Sequence, residues 1–365
     1  MNKRIQFHAL EISDVRRETA DAISIAFHIP DDIKDKYKYQ AGQYLTLRAT
    51  VNGEDLRRPY SICTAPNDNE VRVCIKQVEQ GRFSTYANQN LAKGDIIEVM
   101  TPLGHFVHTP NPDASNHFVG IAGGSGITPI LAILRSVLSE DPEAIFTLFY
   151  GNRTAASMIF RKQFSDLKNQ YMSRLNICHV LSDEEMGSDL MSGIMDSAKT
   201  EKLIGSFTNP SQINHFYICG PGPMMDGAEA ALKRLGVDKD LISVERFIAA
   251  PAPSNKFIDK AFKNNENIAA DAVAAEVTII VDGETRVVKM SSEDSVLDVG
   301  LLALMDLPHA CKGGVCCTCR AKLVAGKVSM AVTTGLEPYE IEAGFILTCQ
   351  AKPLTDKLIV DYDAQ

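Results

Sequence analysis

The chain has 365 residues, 45% of them hydrophobic and 23% charged, which suits two or three ordinary globular domains. Its net charge of −9 excludes the basic surface that a nucleic-acid binder needs. No run approaches the roughly 18 apolar residues of a membrane span, and no apolar signal core opens the chain, so a cytoplasmic protein without stable membrane insertion is expected.

Residues 1–112 are strand-like. The runs Ala22–Ile29, Tyr44–Thr50, Val71–Val78 and Ile96–Val99 alternate apolar and polar residues, with turn signals between them at Asn52-Gly53, Pro66-Asn67-Asp68 and Lys93-Gly94-Asp95. This spacing predicts a small antiparallel barrel. From 113 to 250 strand runs (His117–Ala122, Ile145–Tyr150, Leu175–Leu181, His215–Cys219) alternate with helical ones (Ile130–Ser139, Phe160–Gln170, Met224–Leu235), which predicts a parallel sheet covered on both faces. Residues 251–275 lack apolar periodicity and read as a tether. The last segment, 276–365, opens with a hairpin around Asp282-Gly283 and a helix over Ser295–Met305.

Nine cysteines in a reducing compartment are poor disulfide candidates, and five of them crowd the last fifth of the chain. Cys311, Cys316 and Cys319 follow a C-x4-C-x2-C spacing, and Cys349 comes after a 29-residue gap. That is the plant-type pattern in which four thiolates hold a [2Fe–2S] cluster. Gly313 and Gly314 let backbone N–H groups approach the sulfurs, and Cys317 falls between ligand positions. A zinc site would show a second short knuckle. A Cys316–Cys319 redox pair would leave Cys311 and Cys349 without a role.

Gly124-Ser125-Gly126-Ile127-Thr128-Pro129 joins a strand to a helix, where glycines admit a pyrophosphate and the helix N-terminus favours its charge. Pro129 stands where a full G-x-G-x-x-G would place its third glycine, and a turn with only a packing role competes. A second turn, Cys219-Gly220-Pro221, ends the strand His215–Cys219, where open parallel sheets bind ligands. In the first segment Arg58-Pro59-Tyr60-Ser61, read at a strand start, offers a phosphate clamp, a ring and a hydroxyl. Gly81-Arg82-Phe83-Ser84 opens a helix over Ser84–Leu91 whose N-terminus suits a pyrophosphate. On composition alone either stretch would be at home on a solvated surface.

Taken in order, these motifs resemble the ferredoxin–NADP reductase superfamily, which joins a flavin-binding antiparallel barrel to a nicotinamide-binding α/β domain. The sequence around the cysteine cluster resembles plant-type ferredoxins. The resemblance covers the whole chain and implies a multidomain α+β and α/β protein: barrel over 1–112, nucleotide domain over 113–250, linker over 251–275 and a β-grasp ferredoxin domain over 276–365. It assigns Arg58, Tyr60 and Ser61 to the flavin, Gly81, Arg82, Phe83 and Ser84 to its phosphates, and FAD rather than FMN as the cofactor. Gly124, Ser125, Gly126, Thr128 and Pro129 fall to the nucleotide turn, with Cys219, Gly220 and Pro221 near the nicotinamide ring. Ser61, Cys219 and Glu245 are the implied catalytic trio, and Phe247 could stack on the flavin. Arg153, beyond the strand Ile145–Tyr150, suits a 2′-phosphate and so NADPH, with NADH as the alternative.

Among such reductases the stretches RRPYSIC, GRFSTYA, GSGITPILAI, ICGPGPMMD and ACKGGVC look most like those serving phenylacetyl-CoA epoxidases. The implied partners are NAD(P)H and a protein electron acceptor, a diiron oxygenase or epoxidase component. Reductases of steroid hydroxylases and fatty-acyl desaturases share most of these motifs, and a flavin and iron–sulfur sensor is the competing reading from another class. The last segment holds thirteen acidic against eight basic residues, which fits either a solvated face or a docking face for a basic acceptor.

Overall fold

A computed structural model describes residues 6–108, 116–247 and 275–364, in two compact units, Met1–Phe247 and Ile248–Gln365. The expected tether lies outside the described residues except for Ala275, which opens a strand.

The first unit begins with six antiparallel strands: β1 (Phe7–Thr19), β2 (Ala22–His28), β3 (Tyr44–Val51), β4 (Glu54–Ser61), β5 (Val71–Lys76) and β6 (Ile96–Met100). Their order is β4-β3-β6-β1-β2-β5, and a bridge from Ile62 to Val73 brings the two edges together. Strands β1 and β4 were not legible in the sequence. Both are rich in charge, and β4 carries Pro59, which is tolerated because β4 is an edge strand. Helix α1 (Arg82–Asn90) lies between β5 and β6.

Period-2 alternation explains the barrel core: Ile23, Ile25, Leu45, Leu47, Val73 and Ile75 all point inward. The opposite face of β2 and β5 is buried as well. Ala22 and Cys74, with Cys63, share a core with α2 (Ile127–Glu140) of the following sheet. The barrel and the parallel sheet therefore form one unit with a common apolar layer.

That sheet contains β7 (His117–Gly123), β8 (Ile145–Asn152), β9 (Leu175–Leu181), β10 (His215–Cys219) and β11 (Ile242–Glu245), all parallel, in the order β11-β10-β7-β8-β9. Helices α2 and α3 (Arg161–Gln170) pack into the layer shared with the barrel. On the other face lie α4 (Ser197–Phe207) and α5 (Gly222–Arg234). Because β7 neighbours β10, the crossovers leave this point in opposite directions. It is the topological switch point, where open parallel sheets form a crevice.

In the second unit β12 (Ala275–Val281) and β13 (Glu284–Met290) form the expected hairpin, followed by α6 (Val296–Leu302). Helix α6 is shorter than expected, because Leu304 takes a left-handed conformation (φ 60°) that ends the run. Strand β14 (Arg320–Ala325), the short β15 (Val328–Met330), helix α7 (Pro338–Glu342), β16 (Phe345–Leu347), β17 (Ala351–Pro353) and β18 (Lys357–Asp361) complete the unit. The main sheet runs β13-β12-β18-β14-β16, with β12 and β18 parallel, as a β-grasp requires. No helix among the described residues is long and apolar enough to cross a membrane.

The switch point is built from bare backbone. A Cβ on Gly126 would lie 2.2 Å from the Cys219 carbonyl oxygen, and one on Gly220 would lie 2.9 Å from the Gly123 nitrogen. Gly222, at the start of α5, faces open space. Gly126→Ala should therefore cost about 2–3 kcal/mol of stability and Gly222→Ala close to nothing, a contrast that thermal unfolding of the two variants reads directly.

Candidate active site

Arg58, Pro59, Tyr60 and Ser61 close β4 rather than opening a strand, so the motif sits at the end of the barrel edge. Its neighbour Arg57 is committed elsewhere: the guanidinium bonds Asp55 at 3.0 Å and lies 5.3 Å from the Phe7 ring. Arg58 is half-buried and donates to the Arg57 carbonyl at 2.7 Å. The Tyr60 ring rests 5.8 Å from that of Phe83.

Helix α1 starts at Arg82, with Gly81 as its cap residue and no side chain capping it. A Cβ on Gly81 would meet the Val78 Cγ2 and Ser84 Oγ atoms at 2.4 Å, so a larger residue would displace those side chains. Ser84 turns inward, accepting from the Val78 N–H at 3.2 Å and donating to the Gly81 carbonyl at 3.2 Å. Phe83 is 1% exposed in the barrel core, and Arg82 is ion-paired with Glu54. What this motif offers an anion is therefore the first N–H groups of α1, with Arg58 on the neighbouring strand.

At the switch point, strand register lines up Glu245, Cys219, Ala122, Tyr150 and His179 across the carboxyl ends of the five strands. Gly124 adopts φ 51° with open space beside it, and Ser125 and Gly220 are partly exposed. The start of α2 carries no side-chain cap, so its N–H groups suit a pyrophosphate. Thr128 and Pro129 are buried, and the Thr128 hydroxyl donates to the Ser125 carbonyl at 3.0 Å, bracing the turn from beneath. Pro221 is exposed beside Gly220, at the mouth of the second turn.

The expected catalytic trio comes together here. Ser61, from the barrel, donates to Glu245 Oε2 at 3.1 Å across 184 positions of sequence, and Cys219 is paired with Glu245 in the sheet. Burial pushes the Glu245 carboxyl up to about 8, with the Ser61 hydrogen bond opposing. Burial also raises the Cys219 thiol, helped by Glu245, so it stays neutral. Phe247 lies two residues beyond, 45% exposed. Arg153 is exposed where β8 ends, and its carbonyl accepts from Asp183 N–H at 2.9 Å. Sequence reasoning missed Glu54 as the partner of Arg82 and Asp68 as the partner of Arg135 at 2.6 Å, because such pairings join distant segments.

In the second unit Cys311, Cys316 and Cys319 line one tight loop, with left-handed conformations at Lys312, Gly314 and Cys317. The thiols associate in two pairs, Cys311 with Cys316 and Cys319 with Cys349. Cys316 and backbone N–H groups hold the Cys311 thiol below its ordinary range, and Cys319 does the same for Cys349. Gly313 N–H reaches Cys311 Sγ at 3.3 Å, and Cys311 N–H reaches Cys316 Sγ at 3.4 Å. Among the described residues no three His, Cys, Asp or Glu gather as around one ion. Two thiol pairs, in each of which one sulfur is held low and its partner high, fit the four-thiolate [2Fe–2S] pattern better than one zinc. Cys317 turns away and donates to the Gly335 carbonyl.

Three family models match in chain order: an oxidoreductase FAD-binding domain over 9–108, an oxidoreductase NAD-binding domain over 121–230 and a 2Fe–2S iron–sulfur cluster binding domain over 279–354. The chain is 43% identical over 360 residues to one of the subunits of 1,2-phenylacetyl-CoA epoxidase from Escherichia coli, covering 98% of each. It belongs to the ferredoxin–NADP reductase-like flavoproteins with a C-terminal [2Fe–2S] domain. The reductase is also 33% identical to the ferredoxin reductase component of 3-ketosteroid-9-alpha-monooxygenase from Rhodococcus rhodochrous, over 97% of this chain and 96% of the relative. Its fold matches phthalate dioxygenase reductase with TM-score 0.58 at 22% identity, covering 97% and 98% of the two chains. The reductase is thus an NAD(P)H-dependent flavin and iron–sulfur oxidoreductase that passes electrons from NAD(P)H through FAD to a [2Fe–2S] cluster.

Two outcomes follow from the site's electrostatics and ligand geometry. Glu245 has a folded value of about 8 against its ordinary 4.5, so its stabilising proton is retained below 4.5 and lost as pH rises through about 8. Relative to wild type, Glu245→Gln should therefore gain unfolding free energy from about pH 5 to about pH 8 and level off above, as urea unfolding across pH would record. Cys317→Ser should keep two irons per chain and the visible cluster spectrum, whereas Cys316→Ser should lose both.

Proposed function

We propose that the reductase draws its electrons from NADPH and delivers them singly to a diiron oxygenase component that epoxidises an aromatic acyl-CoA. The observation that carries this reading is the full-length match, at 43% identity, to the phenylacetyl-CoA epoxidase subunit, covering 98% of each chain. A second reading, an acceptor of the steroid-hydroxylase kind, is favoured by the full-length match at 33%. Nine cysteines, none of them in a disulfide, favour the reducing cytoplasm as its place of action.

Bound FAD supplies the conversion of a hydride donor into single electrons, and the [2Fe–2S] cluster their one-electron outlet. The residues that would hold the flavin are Arg58, Tyr60, Ser61 and the N-terminus of α1. Those for the nicotinamide nucleotide are Gly124–Gly126, the N-terminus of α2, and Gly220 and Pro221. Ser61 is oriented by its bond to Glu245. Below about pH 8 Glu245 keeps a proton beside that hydroxyl without placing a charge in the crevice. Cys219, neutral and fully buried, closes the crevice floor to water. Cys311, Cys316, Cys319 and Cys349 would hold the cluster. Exposed Arg153 at the end of β8 supplies a cation for a 2′-phosphate.

Anaerobic titration with NADPH should bleach the flavin absorbance together with the reddish-brown cluster envelope, and a flavin that ignores both NADPH and NADH would sink the reading. Arg153→Ala should weaken NADPH by about 1.5–3 kcal/mol, or tenfold and more, and NADH far less, judged from the two KM values. Electron delivery to the purified oxygenase components of an acyl-CoA epoxidase and of a steroid hydroxylase then separates the two acceptors.

A further inference from the structure

The residue after the fourth cluster cysteine is glutamine, and its side chain is held from three directions. Its backbone N–H donates to the Leu347 carbonyl at 2.9 Å, fixing where the side chain leaves the chain. Its Cγ rests on Gly314, where an added Cβ would come within 2.9 Å. Its Nε2 donates to the Lys312 carbonyl at 3.2 Å, inside the loop that carries the other three cysteines. The same Nε2 lies 3.7 Å from Cys349 Sγ. An amide nitrogen has two N–H groups, so both partners can be served at once. The orientation of the amide is set by chemistry, because the Lys312 carbonyl accepts only from a donor and the reversed amide would face it with oxygen.

We propose that Gln350 is a positioning residue for electron acceptance, its amide bridging the Lys312 carbonyl and the Cys349 sulfur so as to stabilise the reduced cluster. Reduction adds one negative charge, shared by the ligand sulfurs, and an N–H aimed at one of them favours that state over the oxidised one. The effect is larger here than on an exposed sulfur, since Cys319 is buried and Cys349 is partly so. Gly314 belongs to the same device. Its φ of 78° and missing side chain leave the space that Gln350 fills, a role separate from letting N–H groups reach sulfur.

The test is a spectroelectrochemical titration of the full-length, cluster-loaded protein, with iron content and visible spectrum taken first. Those two measurements report whether the cluster is present, independently of what Gln350 does to it. Gln350→Met keeps the reach and removes the donor. At a fixed solution potential its reduced-to-oxidised cluster ratio should fall about tenfold, a downward shift of about 59 mV for a one-electron couple. A residue that only clipped the loop would speed iron loss to a chelator and leave the midpoint of the loaded protein in place, and that result overturns the proposal. If Gln350→Met fails to hold iron, Gln350→Leu fills the same space without the donor and adds no charge of its own. Its midpoint must also lie below wild type, and a midpoint at or above wild type overturns the proposal equally.

Discussion

The backbone contact between Gly126 and the Cys219 carbonyl is the constraint on which the nucleotide half of the molecule depends. Strands β7 and β10 are far apart in sequence but adjacent in the sheet, and each ends in a turn aimed into the same crevice. Two turns with side chains could not approach this closely, because a single Cβ already collides with main-chain atoms. Glycine at 123, 126 and 220 thus serves first to close the sheet's upper edge. Of the glycines in these two turns, Gly124 alone is left-handed, and it faces open space.

The barrel depends on the same edge from the other side. Its outer face shares an apolar layer with α2, through Ala22, Cys63 and Cys74 on one side and Ile127, Ile130 and Leu134 on the other. That layer sets the barrel in register with the parallel sheet and brings Ser61 within hydrogen-bond distance of Glu245. There the partly exposed Glu245, desolvated beside Ser61, holds its proton into the neutral range. The ferredoxin unit follows a different logic. Its function is concentrated in one loop, wound by three left-handed residues, which presents sulfur and N–H groups to the same small volume.

Much of this was legible in residue order. Helix and strand periods placed β7, β9 and β10 to within a residue, because each is an apolar run bounded by turn signals. Charge-rich β1 and β4 were not legible, since β1 is buried by a strand on either side and β4 by its pairing with β3, and not by their own pattern. Nor was α4, whose apolar stripe is only Leu203 and Ile204 with Thr200, capped by Asp196. The same division runs through the site. Motif positions that looked alike in sequence separate in space, with Arg58 and Gly124 partly exposed while Phe83, Ser84 and Thr128 face inward.

The sequence by itself determined the C-x4-C-x2-C run, the two glycine turns and the order of three modules, because each is carried by local patterns. Tertiary structure alone decided that Ser61 meets Glu245, that Cys317 turns aside and that Gln350 spans Lys312 and Cys349. Contacts of this kind join segments that packing, not spacing, brings together. They depend on burial and direction, which no run of residues carries until the chain has closed around them.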